Sequence, residues 1–168
     1  MRNVIRVICA LVAYFTVIVA CAVSAQAQTI KLDTAPSEVV VVADIRNDDK
    51  LPYDVHIVRE NDKVAMRLTY KPLSPELREI RTMLSDWHEN TKGKYGLTTE
   101  QAYLVTTETY TGMVGTDGSI KWNKLVYTGA DVKVDVTGVG FDADIINKAG
   151  TETYLTLVGY AKSLKGVK

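Results

Sequence analysis

The sequence predicts an α+β domain: a curved, mainly antiparallel sheet of about seven strands with one amphipathic helix packed on it. Three observations carry that expectation. A β-branched run opens the domain, one segment repeats its apolar residues at helical spacing, and four long strand-like runs joined by short glycine-containing links close it.

The domain is expected over residues 38–168, behind a segment of a different kind. Residues 1–6 carry Arg2 and Arg6 without an acid, residues 7–23 are uncharged, and Ser24-Ala25-Gln26-Ala27 supplies small side chains. That is the pattern of a secretory signal over residues 1–27. Ala25-x-Ala27 suits a signal peptidase whose pocket accepts only small residues, which leaves Gln28 as the new terminus. Ile18-Val19-Ala20-Cys21 competes with it, because this tetrad resembles the bacterial lipoprotein signal, in which the cysteine thiol is acylated before cleavage. The uncharged run, at about 17 residues, is also just long enough to span a bilayer uncleaved. Residues 28–37 read as a charge-poor tether under any of the three. Each outcome exports the domain, to the periplasm, the outer membrane or the exterior of a bacterial envelope.

Composition restricts what the exported part can be. A chain of 168 residues with its signal removed can bury one core, so a single domain is expected. Formal charge is zero, and loss of Arg2 and Arg6 leaves a slightly acidic remainder, which gives no electrostatic reason to seek nucleic acid. Both cysteines, Cys9 and Cys21, lie in the export segment, so the domain has neither a disulfide nor a thiolate nucleophile.

The elements follow in order. "EVVVVADIR" has no polar alternation before Asp44, as in a strand buried on both faces. "YDVHIVRENDKVAMRLTY" reads as a hairpin with Asn61-Asp62 at its tip. Pairing Glu60 with Lys63 sets Ile57 opposite Met66, Val55 opposite Leu68 and Tyr53 opposite Tyr70, with His56 and Arg67 on the other face. A slip of one residue would place Val55 against Arg67, so the pattern selects its own register.

Ser74 as N-cap, Pro75 at the first helical position and Glu76 and Glu79 near the positive end of the dipole start a helix over residues 74–90. Leu77, Ile80, Leu84 and Trp87 recur at spacings of three and four and form its apolar stripe. Gly93 is the expected stop. After a loop or short helical turn at Thr98, residues 102–114, 119–128, 131–146 and 151–163 read as a four-strand meander. In the third run the apolar phase changes between Val132, Val134, Val136 and Val139, Phe141, Ala143, Ile145. A β-bulge at Gly138 and Gly140 would keep both sets on one core.

Motifs for chemistry are scarce. His56 and His88 have no ligand spacing for a metal around them, and no cofactor motif is present. Asp54, Asp135, Asp142 and Asp144 are the acids that a hydrolase would have to bring together in a cleft. The aromatics are more suggestive, since Trp87, Tyr103, Tyr110, Trp122 and Tyr127 could give the sheet a recognition surface.

The leading expectation is therefore a non-catalytic binding or assembly component of the envelope, acting through its sheet, with another envelope protein as partner. A second is a periplasmic carrier or sensor, with a small apolar ligand held between curved sheet and helix. The third is an envelope hydrolase using paired aspartates. Membrane association would run through an acylated Cys21 or an uncleaved N-terminal segment. The intact mass of protein extracted from its own envelope separates the processing routes. Signal-peptidase cleavage predicts a chain starting at Gln28, and a mass starting at an acylated Cys21 would overturn it in favour of a lipid tether.

Overall fold

The computed structural model describes residues 39–91, 97–139 and 141–166. The signal, Cys21, the tether and the expected helix stop Gly93 lie outside the described residues. Among the described residues the fold is α+β, an open antiparallel sheet of six strands with three helices. The strands are β1 (Val39–Ile45), β2 (Tyr53–Glu60), β3 (Lys63–Tyr70), β4 (Val105–Val114), β5 (Ile120–Gly129) and β6 (Val132–Asp135). The helices are α1 (Pro75–Asn90), α2 (Thr99–Leu104) and α3 (Ala143–Gly166). Strand order in space is the order in the chain, each strand antiparallel to the next.

The hairpin adopts the register that its side chains select. Tyr53 pairs with Tyr70, Val55 with Leu68, Ile57 with Met66 and Glu60 with Lys63, while His56 faces Arg67. Asn61 turns the chain at φ 56°, a left-handed conformation that asparagine tolerates. The inward set, Tyr53, Val55, Ile57, Val64, Met66, Leu68 and Tyr70, is buried throughout. Strand β1 departs from expectation. It occupies one edge of the sheet, with Ala43 and Ile45 buried and Asp44 between them exposed, so it is covered on one side only. The exposed acid and its partner Arg46, at 2.8 Å, put charge on an edge that an unbroken valine strand would leave bare.

Helix α1 begins as its sequence directs. The Ser74 hydroxyl accepts from the Leu77 N–H at 3.2 Å and Pro75 opens the first turn. Leu77, Ile80, Leu84 and Trp87 are buried, and Met83 joins them. Thr91 closes the helix, its hydroxyl donating to the Trp87 carbonyl at 2.8 Å. The turn at Thr98 is a helix, α2, held by a reciprocal capping box with Gln101.

The C-terminal third corrects the expected meander. Strand β6 ends at Asp135, and residues 143–166 form one long helix where the end of the third run and the whole fourth run were expected as strands. The local cause is a start signal. Asp142 caps α3, accepting from the Ile145 N–H at 2.8 Å, and Ile146, Gly150, Tyr154, Leu157 and Val158 then fall on one buried stripe at helical spacing. Gly140 lies outside the described residues, and among the described residues between β6 and α3 there is no bulged strand. Gly138 sits at φ 72° in a reversing turn, donating to the Phe141 carbonyl at 3.0 Å, and this turn is what shifts the apolar phase.

Helix α3 packs on β5 with almost no clearance. A Cβ added to Gly150 would lie 2.5 Å from Cγ of Trp122, so only glycine lets the helix backbone settle on the indole. Trp122 is fully buried, edge-on to Tyr110 at 6.3 Å and tilted against Tyr154 at 5.7 Å. A register shift between β4 and β5 frees the Trp122 N–H from the ladder, and Asn147 of α3 accepts it at 2.9 Å.

Because Trp87 is 5% exposed at the end of the α1 stripe, Trp87→Ala is expected to destabilise the domain by about 3–5 kcal/mol. Denaturant unfolding checks this; an unchanged midpoint would show that the ring contributes nothing to the core.

Candidate functional site

The alternation of the strands separates two polar assemblies, one inside the domain and one on its outer face. The inner one is built by register. Leu68 pairs with Glu108 and Glu108 with Tyr127, which carries a carboxyl group to the middle of the apolar side of the sheet. Glu108 is 6% exposed. Tyr70 donates to its Oε2 at 2.6 Å, Tyr127 approaches Oε1 at 3.4 Å and Tyr110 adds a third hydrogen bond. Tyr53 packs edge-on against Tyr70 at 5.2 Å and completes the ring of phenols.

Burial pushes the Glu108 carboxyl above its ordinary value of 4.5, and the hydrogen bonds from Tyr70, Tyr110 and Tyr127 oppose that rise without cancelling it. The phenols are driven the same way. Burial and the nearby carboxylate push Tyr53 up to about 12, and Tyr70, Tyr110 and Tyr127 also rise well above 10. They therefore remain hydrogen-bond donors across the physiological range. The Glu108 carboxyl is thus held in the core by phenol donors. Its surroundings are aromatic rings and strand backbone.

The outer face presents the opposite parity. From β3 to β6 it carries Lys63, Ala65, Arg67 and Thr69, then Thr107, Thr109, Thr111 and the exposed Met113, then Lys121, Lys124 and Thr128, then Lys133 and Asp135. These side chains are exposed or half-buried, and Val126 is the one buried member of the face. Thr69, Thr107 and Thr128 lie in register on adjacent strands, with Lys133 next in the row. Lys124 pairs with Asp135 at 2.8 Å. On β2 the face turns acidic at Asp54 and Glu60, and on β1 at Asp44, whose carboxyl is held low by the Arg46 guanidinium.

The aromatic residues expected to form a recognition surface go elsewhere. Trp87, Tyr110, Trp122 and Tyr127 are core side chains, and Tyr103, on α2, is the exposed member of the set. The structure brings Tyr110 to both Trp122 and Glu108, and leaves Tyr103 apart from them on α2. The aspartates do not converge. Asp54 accepts from the Asn47 N–H on the β2 side, Asp135 pairs with Lys124 on β6 and Asp142 caps α3. Three strands separate β2 from β6. His56 lies 3.6 Å from Asp44 on the outer face, and His88 sits in the last turn of α1. Glu108 and the threonine rows went unread as functional elements, although the alternation in "TTETYTG" already sets Glu108 and Tyr110 on one face and Thr107, Thr109 and Thr111 on the other.

No protein-family model matches the chain, and comparison with curated proteins and with solved structures gives no match. No helix among the described residues is long and apolar enough to cross a membrane.

The raised Glu108 carboxyl sets a direction for stability. The folded state keeps this proton above pH 4.5 while the unfolded chain releases it, so the contribution is complete below 4.5 and is lost as pH rises through the folded value. Glu108→Gln keeps the shape without the titration, and is expected to show a smaller loss of denaturation midpoint than the parent between mildly acid and neutral pH. Parallel curves for the two proteins would show that Glu108 does not titrate differently on folding.

Proposed function

We propose that the protein is an exported, non-catalytic component of a bacterial envelope that binds or assembles with a partner through the outer face of its sheet. The observation that supports this reading is the one-sided build. The large core side chains are gathered on the inner side, and between β3 and β6 the outer side is mainly threonines and cations, with Ala65, Met113 and Val126 among them. Export rests on Arg2, Arg6, the uncharged run and the two competing processing sites at Cys21 and Gln28. Right-handed twist gives a sheet of this size a curved outer face, which suits an extended partner laid across the strands.

The carrier reading places its ligand between the sheet and α1, and there Leu77, Ile80, Leu84 and Trp87 are buried core side chains, which weighs against it. Against the hydrolase reading stands the dispersal of Asp54, Asp135 and Asp142 among separate structural contacts.

Site-specific photo-cross-linking in the native envelope tests the proposal. A benzophenone side chain in place of Thr109, at the middle of the outer face, is expected to give discrete adducts, and one in place of Arg78, on an exposed turn of α1, is expected to give none. Adducts from position 78 alone, or from neither position, would reject the outer face as the working surface.

A further inference from the structure

We infer that the occupant of the outer face is an acidic polysaccharide, a linear glycan bearing carboxylate or phosphate groups; this rests on the reading of that face as the binding surface. Charge is the first reason. The acids Asp44, Asp54 and Glu60 of this face lie on β1 and β2, with Glu60 opposite Lys63, while between β3 and β6 the face holds Lys63, Arg67, Lys121, Lys124 and Lys133 against Asp135. Lys124 is spent on Asp135. Lys63, Arg67, Lys121 and Lys133 have no ion-pair partner among the described residues. Free cations clustered on one part of a slightly acidic molecule attract a polyanion to that part.

Hydroxyl groups are the second reason. Thr69, Thr109, Thr111 and Thr128 make no side-chain hydrogen bond to other described residues, so each keeps a donor and two acceptor lone pairs for a ligand. A polyol has the same dual capacity at every unit. Regularity is the third. Neighbouring strands repeat at about 4.8 Å and like-facing residues along a strand at about 6.8 Å, which sets the threonines in a grid. A grid of one residue type matches a polymer of one repeating unit better than the irregular surface of a folded protein.

Composition argues against the other polyanions. The cores of protein interfaces are rich in aromatic side chains and poor in lysine, whereas this face has lysines and, among the described residues, no aromatic ring. Single-stranded nucleic acid would want rings for its bases to stack on, and Tyr110, Trp122 and Tyr127 are turned into the core.

The test uses the full processed chain with polygalacturonate as probe, dextran as the neutral glycan, polyglutamate as the acidic polypeptide and phosphatidylglycerol vesicles as the acidic surface. Titration calorimetry is expected to show binding to polygalacturonate, none to dextran, and weakening of about tenfold or more as salt is raised well past physiological strength. Arg67→Gln/Lys121→Gln/Lys133→Gln is expected to lose binding by at least about tenfold, in keeping with the removal of three exposed charges. Thr107→Val/Thr109→Val/Thr111→Val leaves the charge unchanged and valine suits a strand, so it should fold and yet bind polygalacturonate several-fold more weakly. Equal affinity of the threonine variant, or binding to polyglutamate or vesicles as tight as to polygalacturonate, would overturn the inference. Adducts at position 109 in the envelope together with no polygalacturonate binding would leave the outer face as the docking surface and remove only the glycan; no adducts there would remove the surface itself.

Discussion

The seat of α3 on Trp122 is the contact on which the rest of the architecture depends. A six-stranded open sheet with one apolar face must cover that face, and α1 with the short α2 supplies only part of the cover. Helix α3 closes over β5 because Gly150 removes the Cβ that would strike the indole and because Asn147 takes the backbone N–H that the register shift releases. Tyr110 from β4 and Tyr154 from α3 then hold the ring from two sides. One glycine and one amide thus decide that the last stretch of chain is more stable as a helix on the sheet than as two further strands at its edge.

Burial of Glu108 works against that economy and is tolerated because the strands deliver phenols to it. An unpartnered carboxylate in such a place is strongly unfavourable, and the protein meets the difficulty from both directions. Tyr70, Tyr110 and Tyr127 donate to the carboxyl, and burial raises its affinity for a proton. The same residues are unavailable to the surface as a consequence. The polar side chains are left to the outer parity of the same strands, where threonine and lysine are ordinary strand and solvent residues.

The legible parts of the fold are those whose signal is local. Register in the β2–β3 hairpin follows from alternation alone, since any slip sets Arg67 against the core. Helix α1 announces itself through Ser74, Pro75 and a clean apolar stripe. Helix α3 was misread because Thr151, Thr153, Tyr154, Thr156 and Val158 are good strand formers, and propensity outweighed the spacing of Ile146, Gly150, Tyr154 and Leu157. Asp142 was the deciding cap, hidden in a run that also satisfied a strand pattern on its way through Gly138. Burial of the aromatics was illegible for a different reason: a tyrosine on a strand names a parity, and which parity faces inward depends on where the helices land.

Charge separation between the layers follows from the same parity. Helix α1 carries Glu76, Glu79, Asp86 and Glu89 against Arg78 and Arg81, so it is acidic where the outer face between β3 and β6 is basic. Such a separation would favour presenting the β3–β6 threonines and cations, rather than α1, to the polyanion proposed above. The interaction that aligns it is screened over about 8 Å at physiological salt, short enough that only a surface already close is felt. A protein free to diffuse would exploit such a field weakly, whereas one held at an envelope, by Cys21 or by confinement in the periplasm, would sample its partner at close range and need no more than the open array of Arg67, Lys121, Lys133 and the threonines to stay on it.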